Sequence, residues 1–152
     1  MTASLRGGIN RNTMKFNSQI CTTREQSERL LALGLKKETA DMKYPCTREY
    51  YGGVLTEGTS SLPIIIDTED DEVTEYDIPA WSLHRLIEMM PKNIAIDGDS
   101  AYPLQIQKRS DGKWCVGYQG WYDCVGDLYD NVIWIYQLLI SEGYLDEFCN
   151  KG

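Results

Sequence analysis

Five cysteines and a single histidine are the groups in this chain best suited to nucleophilic or metal chemistry. Cys21, Cys46, Cys115, Cys124 and Cys149 are scattered without a C-x-x-C pair, and His84 is the only imidazole, so neither a zinc finger nor a zinc ribbon can be assembled. A Cys–His nucleophile would have to use His84, and no sequence context marks any of the cysteines as activated. An odd, dispersed set of thiols is not how a secreted disulfide scaffold is written, so reduced thiols packing as small hydrophobes are expected. Carboxylates crowd residues 67–72 and 97–99, but neither stretch has the spacing or central glycine of an EF-hand loop. G-x-G-x-x-G, the P-loop and G-x-S-x-G are all missing. The expectation is no catalytic residue, no metal and no cofactor, hence a non-enzymatic protein.

Binding chemistry is better represented. Trp114, Tyr118, Trp121 and Tyr122, interrupted by Gly117 and Gly120, could form a stacking platform for a sugar or a base. Alternation along a strand puts Trp114, Val116 and Tyr118 on one face, which is also how a sheet buries its core, and burial is the favoured reading for Trp114 and Tyr118. Trp121 and Tyr122 fall where that strand should join the following helix and stay open between the two roles. Trp134 and Leu138 land, at 100° per residue, on the polar face of that helix, where a tryptophan is a candidate anchor for a second copy or another protein. Seven carboxylates occupy the eleven residues from 67 to 77. Asp70, Asp71 and Glu72 at their centre are candidate contacts to a basic groove on another protein, unless the segment is simply a solvated linker.

These groups must be positioned by a fold that composition already restricts. The chain has 152 residues and 17.4 kDa with 42% hydrophobic side chains, enough to bury roughly 70% of its unfolded surface as one ordinary domain. A net charge of −8 and a pI near 4.6 argue against unspecific nucleic-acid or anionic-membrane binding and for a positive partner or none. No run approaches the ~18 apolar residues of a membrane span, and the N-terminus lacks a signal-peptide core, so a cytoplasmic protein is expected. Residues 1–20 read as a flexible basic arm with little to bury, within which Met14 could be the true start, and 21–152 as one domain. With Arg6, Arg11, Lys15 and Arg24 set aside, eleven bases face 23 acids, about −12 from Glu25 onward.

The fold expected is α+β. Thr22 or Thr23 with Glu25 or Gln26 writes a capping box, Leu30, Leu31 and Leu33 supply an apolar side, and Gly34 closes a first helix. Residues 35–42 could form a second short helix. Residues 44–61 read as loop with a brief strand at Val54 and Leu55, and Ile64, Ile65 and Ile66 as a buried strand. Ser82 should cap a middle helix over 83–90 with Leu83, Leu86, Ile87 and Met90 inward. A hairpin over 104–118 turns at Asp111 and Gly112, read as a two-residue turn. The long C-terminal helix should run from about 122 to 142, with Val125 on its buried stripe and Asn131 on its polar face.

The succession Gln26-Ser27-Glu28-Arg29-Leu30-Leu31-Ala32-Leu33-Gly34-Leu35, then Glu38-Thr39-Ala40-Asp41-Met42, Pro79-Ala80-Trp81-Ser82-Leu83 and Leu86-Ile87-Glu88-Met89-Met90-Pro91 resembles a group of small uncharacterised proteins. They occur on phages, prophages and conjugative elements of Bacteroides-type bacteria, and Glu142-Gly143-Tyr144 is similar to the end of their C-terminal helix. The resemblance covers roughly 22–145 and transfers no catalytic residue. It implies an accessory protein of a mobile element, in which case a counter-defence role acting through protein contacts is the expectation. The alternatives are a protein that binds or sequesters a small ligand or nucleotide signal at the aromatic run, and a DNA-binding regulator built on the first two helices around Gly34.

Overall fold

A computed structural model describes residues 18–67, 72–95, 98 and 100–150. Most of the expected arm, and Asp70, Asp71, Asp97 and Asp99, lie outside the described residues. The architecture is α+β: helices α1 (Arg24–Ala32), α2 (Leu83–Met89) and α3 (Leu128–Ser141) pack with several small antiparallel sheets. No helix among the described residues is long and apolar enough to cross a membrane.

Helix α1 begins as its sequence dictates. The Thr23 side chain accepts from the Gln26 amide, and the Gln26 side chain accepts from the Thr23 amide in return, so two orphan donors of the first turn are satisfied. Gly34 follows at φ +105°, the left-handed residue that ends the helix. The expected second helix is a single 3₁₀ turn, Lys37–Thr39, after which Ala40 is extended and Asp41 holds the next element. Its carboxylate accepts from the Ser82 amide and hydroxyl ahead of α2, while Met42 enters strand β1 (Met42–Tyr44). β1 lies between β4 (Ile64–Ile65) and β5 (Ile78–Ala80). β4 is an edge paired on one side only, so Ile64 and Ile65 are 42% and 67% exposed rather than buried.

Residues 46–59, expected as loop apart from a brief strand at Val54 and Leu55, form a hairpin of β2 (Cys46–Tyr51) and β3 (Val54–Thr59), so that strand is present and longer than expected. The missed signal is Gly52-Gly53, both at positive φ, which a two-residue hairpin turn requires. β6 (Asn93–Ala95) and β7 (Ala101–Pro103) pair with each other. The expected hairpin over 104–118 is present as β8 (Gln105–Lys108) and β9 (Trp114–Tyr118). Its turn is longer than two residues: the Arg109 amide donates to the Lys113 carbonyl, leaving a three-residue loop closed by Gly112 at φ +87°.

The chain then reverses again through Gln119 and Gly120, and Trp121–Asp123 form a third strand, β10, paired with β9. The C-terminal helix therefore starts at Leu128 instead of near 122, capped by Asp127, whose carboxylate accepts from the Asp130 amide. Val125, in the loop before it, is 84% exposed. Asn131 is fully buried, contrary to expectation, because its amide group donates to the carbonyls of Trp114 and Gly126 and accepts from the Gly126 amide. One side chain thereby ties the end of β9 and the helix-entry loop to α3. α3 packs on β9 and β10 and touches α1, and Leu30, Leu35, Trp81, Leu86, Val116, Ile135, Tyr136 and Leu139 are removed from solvent between them. Trp81 donates its indole N–H to Thr39 Oγ1, and the Tyr136 hydroxyl donates to the Leu86 carbonyl, so the large polar-tipped rings of this core are satisfied.

Candidate functional site

The β2–β3 hairpin projects apolar side chains into solvent. Tyr50, Tyr51, Val54 and Leu55 are 74%, 68%, 65% and 41% exposed, and they occupy the last two cross-strand pairs before the turn, Tyr50 opposite Leu55 and Tyr51 opposite Val54. Neither β2 nor β3 pairs with another described strand. The base of the hairpin, by contrast, is tied down. Arg24 donates to the carbonyls of Thr59 and Ser60, the Ser60 amide donates to the Pro45 carbonyl, and the Cys46 amide donates to Asp77. An isolated two-stranded ribbon is marginal in water, so these anchors hold the base while the tip stays unsupported.

The anchors bring the acidic segment beside the hairpin. The Asp77 carboxylate accepts from the amides of Cys46 and Thr74 and from the Thr74 hydroxyl, and it stands 3.5 Å from Lys43 Nζ. Burial pulls the Asp77 carboxyl upward, but the amide, hydroxyl and ammonium partners outweigh it and hold the group below its ordinary value. Asp77 is thus a half-buried structural acid whose side chain is only 6% exposed, a correction to the reading of the whole run as solvated. Glu72 and Glu75 are exposed, and the Glu72 carbonyl accepts from Lys43 Nζ at 2.9 Å. The Arg48 guanidinium pairs with Glu57 and lies 4.7 Å over the Tyr76 ring, joining the hairpin face to the acidic segment. Of the three acids expected to contact a partner, Glu72 is therefore next to the apolar tip's anchor, and Asp70 and Asp71 fall outside the described residues.

Trp134 is 43% exposed on α3, as its helical position requires, while Leu138 is half-buried. Trp134 borders a hollow of about 640 Å³ between α1 and α3, together with Arg29, Leu33, Val125, Asp130 and Gln137. Arg29 pairs with Asp130 across it, and the Gln26 amide donates to the same carboxylate.

The four aromatic residues read from sequence do not converge on one platform. Tyr118 is 1% exposed and donates its hydroxyl to the Pro91 carbonyl, and burial pushes its pKa well up. Trp121 packs edge-to-face on Tyr144 at 6.3 Å, and Trp114 is half-buried with Lys108 Nζ 5.7 Å over its ring. Only Tyr122 points away from the helix. It is 62% exposed and lines a hollow of about 330 Å³ on the outer sheet face with Gln105, Gln107 and Cys115. Alternation along β10 (Trp121–Asp123) puts Trp121 and Tyr122 on opposite faces of the sheet.

His84 is almost fully exposed, with its Nε2 3.7 Å from a Glu88 carboxylate oxygen. Among the described residues no three His, Cys, Asp or Glu side chains gather at metal-holding distance. No family model, no curated protein and no solved structure matches the chain.

Proposed function

We propose that this chain is a non-enzymatic accessory protein of the mobile-element group it resembles, a cytoplasmic protein acting through protein–protein contacts with a counter-defence role. The observation that carries the contact reading is the β2–β3 arm, whose anchored base presents Tyr50, Tyr51, Val54 and Leu55 to water. Aromatic side chains of this kind lose little rotamer freedom on binding and are frequent interface anchors. Exposed Glu72 and Glu75 lie on the segment pinned to the base of the arm, so the partner that fits is a protein with an apolar patch bordered by basic side chains. Trp134 offers a second anchor beside the α1–α3 hollow.

The test is native mass spectrometry of the full chain, purified gently from its host. Wild type should retain a second polypeptide at fixed stoichiometry, and a Tyr50→Ser, Tyr51→Ser variant with an unchanged circular dichroism spectrum should lose it. A wild-type chain that remains a bare monomer, or a variant that keeps its companion, contradicts the proposal. The small-ligand reading has the 330 Å³ hollow at Tyr122 in its favour, and in the same spectrum it would register as an added small mass.

A further inference from the structure

We propose that Cys115 and Cys124 form a dithiol site on the outer face of the β8–β9–β10 sheet, which exchanges with low-molecular-weight disulfides and closes into a cross-strand disulfide. The argument begins with register. β9 and β10 are joined by the two-residue turn Gln119-Gly120, with Trp121 opposite Tyr118, Tyr122 opposite Gly117 and Asp123 opposite Val116. One step further along the ladder places Cys124 opposite Cys115. Residues flanking a two-residue turn exchange both ladder hydrogen bonds, and the pairs then alternate. Cys115 and Cys124 therefore fall on a non-hydrogen-bonded pair, where Cα atoms approach to about 4.5 Å, inside the span of about 4.4–6.8 Å that a disulfide bridges.

The side chains meet as this register requires. Val116 and Tyr118 point into the core, so Cys115 points outward, and Cys124 shares the outward side with exposed Tyr122. Both thiols are partly exposed, and Cys124 is close enough to Cys115 to act on its ionisation. Arg109 Nη1 stands 3.4 Å from Cys124 Sγ and donates to it, while Cys115 feels the same guanidinium. Desolvation and the Cys124 contact together push the Cys115 thiol up. The Arg109 contact distinguishes the two sulfurs: Cys124, whose Sγ accepts from the guanidinium, is the attacking thiol, and Cys115 is the resolving one. Cys115 also lines the 330 Å³ hollow, which gives a small disulfide access to the pair.

The chemistry balances with the external disulfide as oxidant. The Cys124 thiolate attacks one sulfur of R–S–S–R, breaking that bond and releasing RS⁻ while the mixed disulfide forms. Cys115 then loses its proton to RS⁻ or to water and attacks Cys124 Sγ, expelling the second RS⁻. Two electrons pass from the protein dithiol to the small disulfide, which leaves as two thiols. The closed bond would pin β9 to β10 just ahead of the loop that leads through Gly126 to the Asp127 cap of α3.

The experiment uses the reduced full chain, freed of reductant and incubated with about tenfold glutathione disulfide, then acid-quenched, alkylated and mapped by peptide mass spectrometry. Partly exposed Cys46 serves as the internal standard. The expected result is a Cys115–Cys124 linked peptide that appears faster than glutathione accumulates on Cys46 and disappears on reduction. Cys115→Ser should stop at a stable glutathione adduct on Cys124, and Arg109→Gln should slow closure about tenfold. The proposal is overturned if Cys115 and Cys124 stay alkylatable while Cys46 reacts, or if wild type holds a lasting adduct on either sulfur. An unchanged rate in Arg109→Gln would overturn the assignment of Cys124 as the attacking thiol. The wild-type readout does not depend on any variant folding.

Discussion

Replacing Gly117 with alanine tests the packing of β9, β10 and α3 in one substitution. Gly117 lies at φ +145°, and a Cβ there would stand 2.0 Å from the Trp121 carbonyl oxygen, 2.7 Å from Tyr122 Cα and 3.0 Å from Ile135 Cδ1. The backbone conformation alone costs an alanine about 1–3 kcal/mol. The first two clashes are with backbone, so no rotamer change relieves them, and β10 has to move away from β9. Losing the two neighbouring ladder hydrogen bonds adds about 1 kcal/mol each. The sum is about 4 kcal/mol, a large share of the roughly 5–15 kcal/mol that holds a domain together. In urea, with a slope of about 2 kcal/mol per M, the midpoint followed by tryptophan fluorescence, to which the buried Trp81 contributes, should fall by about 2 M at unchanged slope. Gly34→Ala is the control, since Gly34 also has positive φ, at +105°, but its Cβ would meet nothing within 4 Å. That variant should lose only about 1–2 kcal/mol of backbone strain. Equal losses in the two variants, or a Gly117→Ala loss under about 1.5 kcal/mol, would refute the argument from close approach.

Asp77→Asn removes the carboxylate facing Lys43 and turns one acceptor into a donor among the Cys46 and Thr74 amides, and should cost about 3 kcal/mol. Because the native carboxyl is held below its unfolded value, its contribution is complete above about pH 4 and is lost as pH falls through the native value. The stability gap between wild type and Asp77→Asn should therefore shrink in acid, and a gap that widens below pH ~4 would contradict the assignment. Tyr136→Phe leaves the buried Leu86 carbonyl without its donor and should lower stability by about 1.5 kcal/mol in thermal unfolding. Trp134→Ala should change stability by less than about 1 kcal/mol yet reduce the companion protein retained in native mass spectra.

Local signals with a fixed chemical grammar were legible in the sequence. The Thr23–Gln26 capping box, Ser82 ahead of α2 and Gly34 behind α1 stand where their residue types place them. So does the amphipathic character of α3 beyond Leu128. What was not legible depends on partners distant in the chain. Gly52-Gly53 and Gln119-Gly120 are turns only because strands pair across them, and without that pairing Tyr50, Tyr51 and Trp121 read as loop or helix. Asn131 looks polar in a helical projection, but it is drawn inside by the carbonyls of Trp114 and Gly126. Asp77 reads as one acid in a repelling run and is instead the cap that anchors the hairpin. The apolar arm and the Cys115–Cys124 pair were invisible for the same reason, since each exists only as a juxtaposition across strands.

Site-specific photo-crosslinking in the host cell measures the central claim most directly. A photoreactive residue is placed at position 51 or 54 of the arm, and for comparison at Ser110, an exposed position in the β8–β9 loop. The account predicts one discrete covalent adduct with a second polypeptide from positions 51 and 54 and none from position 110. No adduct from the arm, or equal labelling at all three positions, would contradict it.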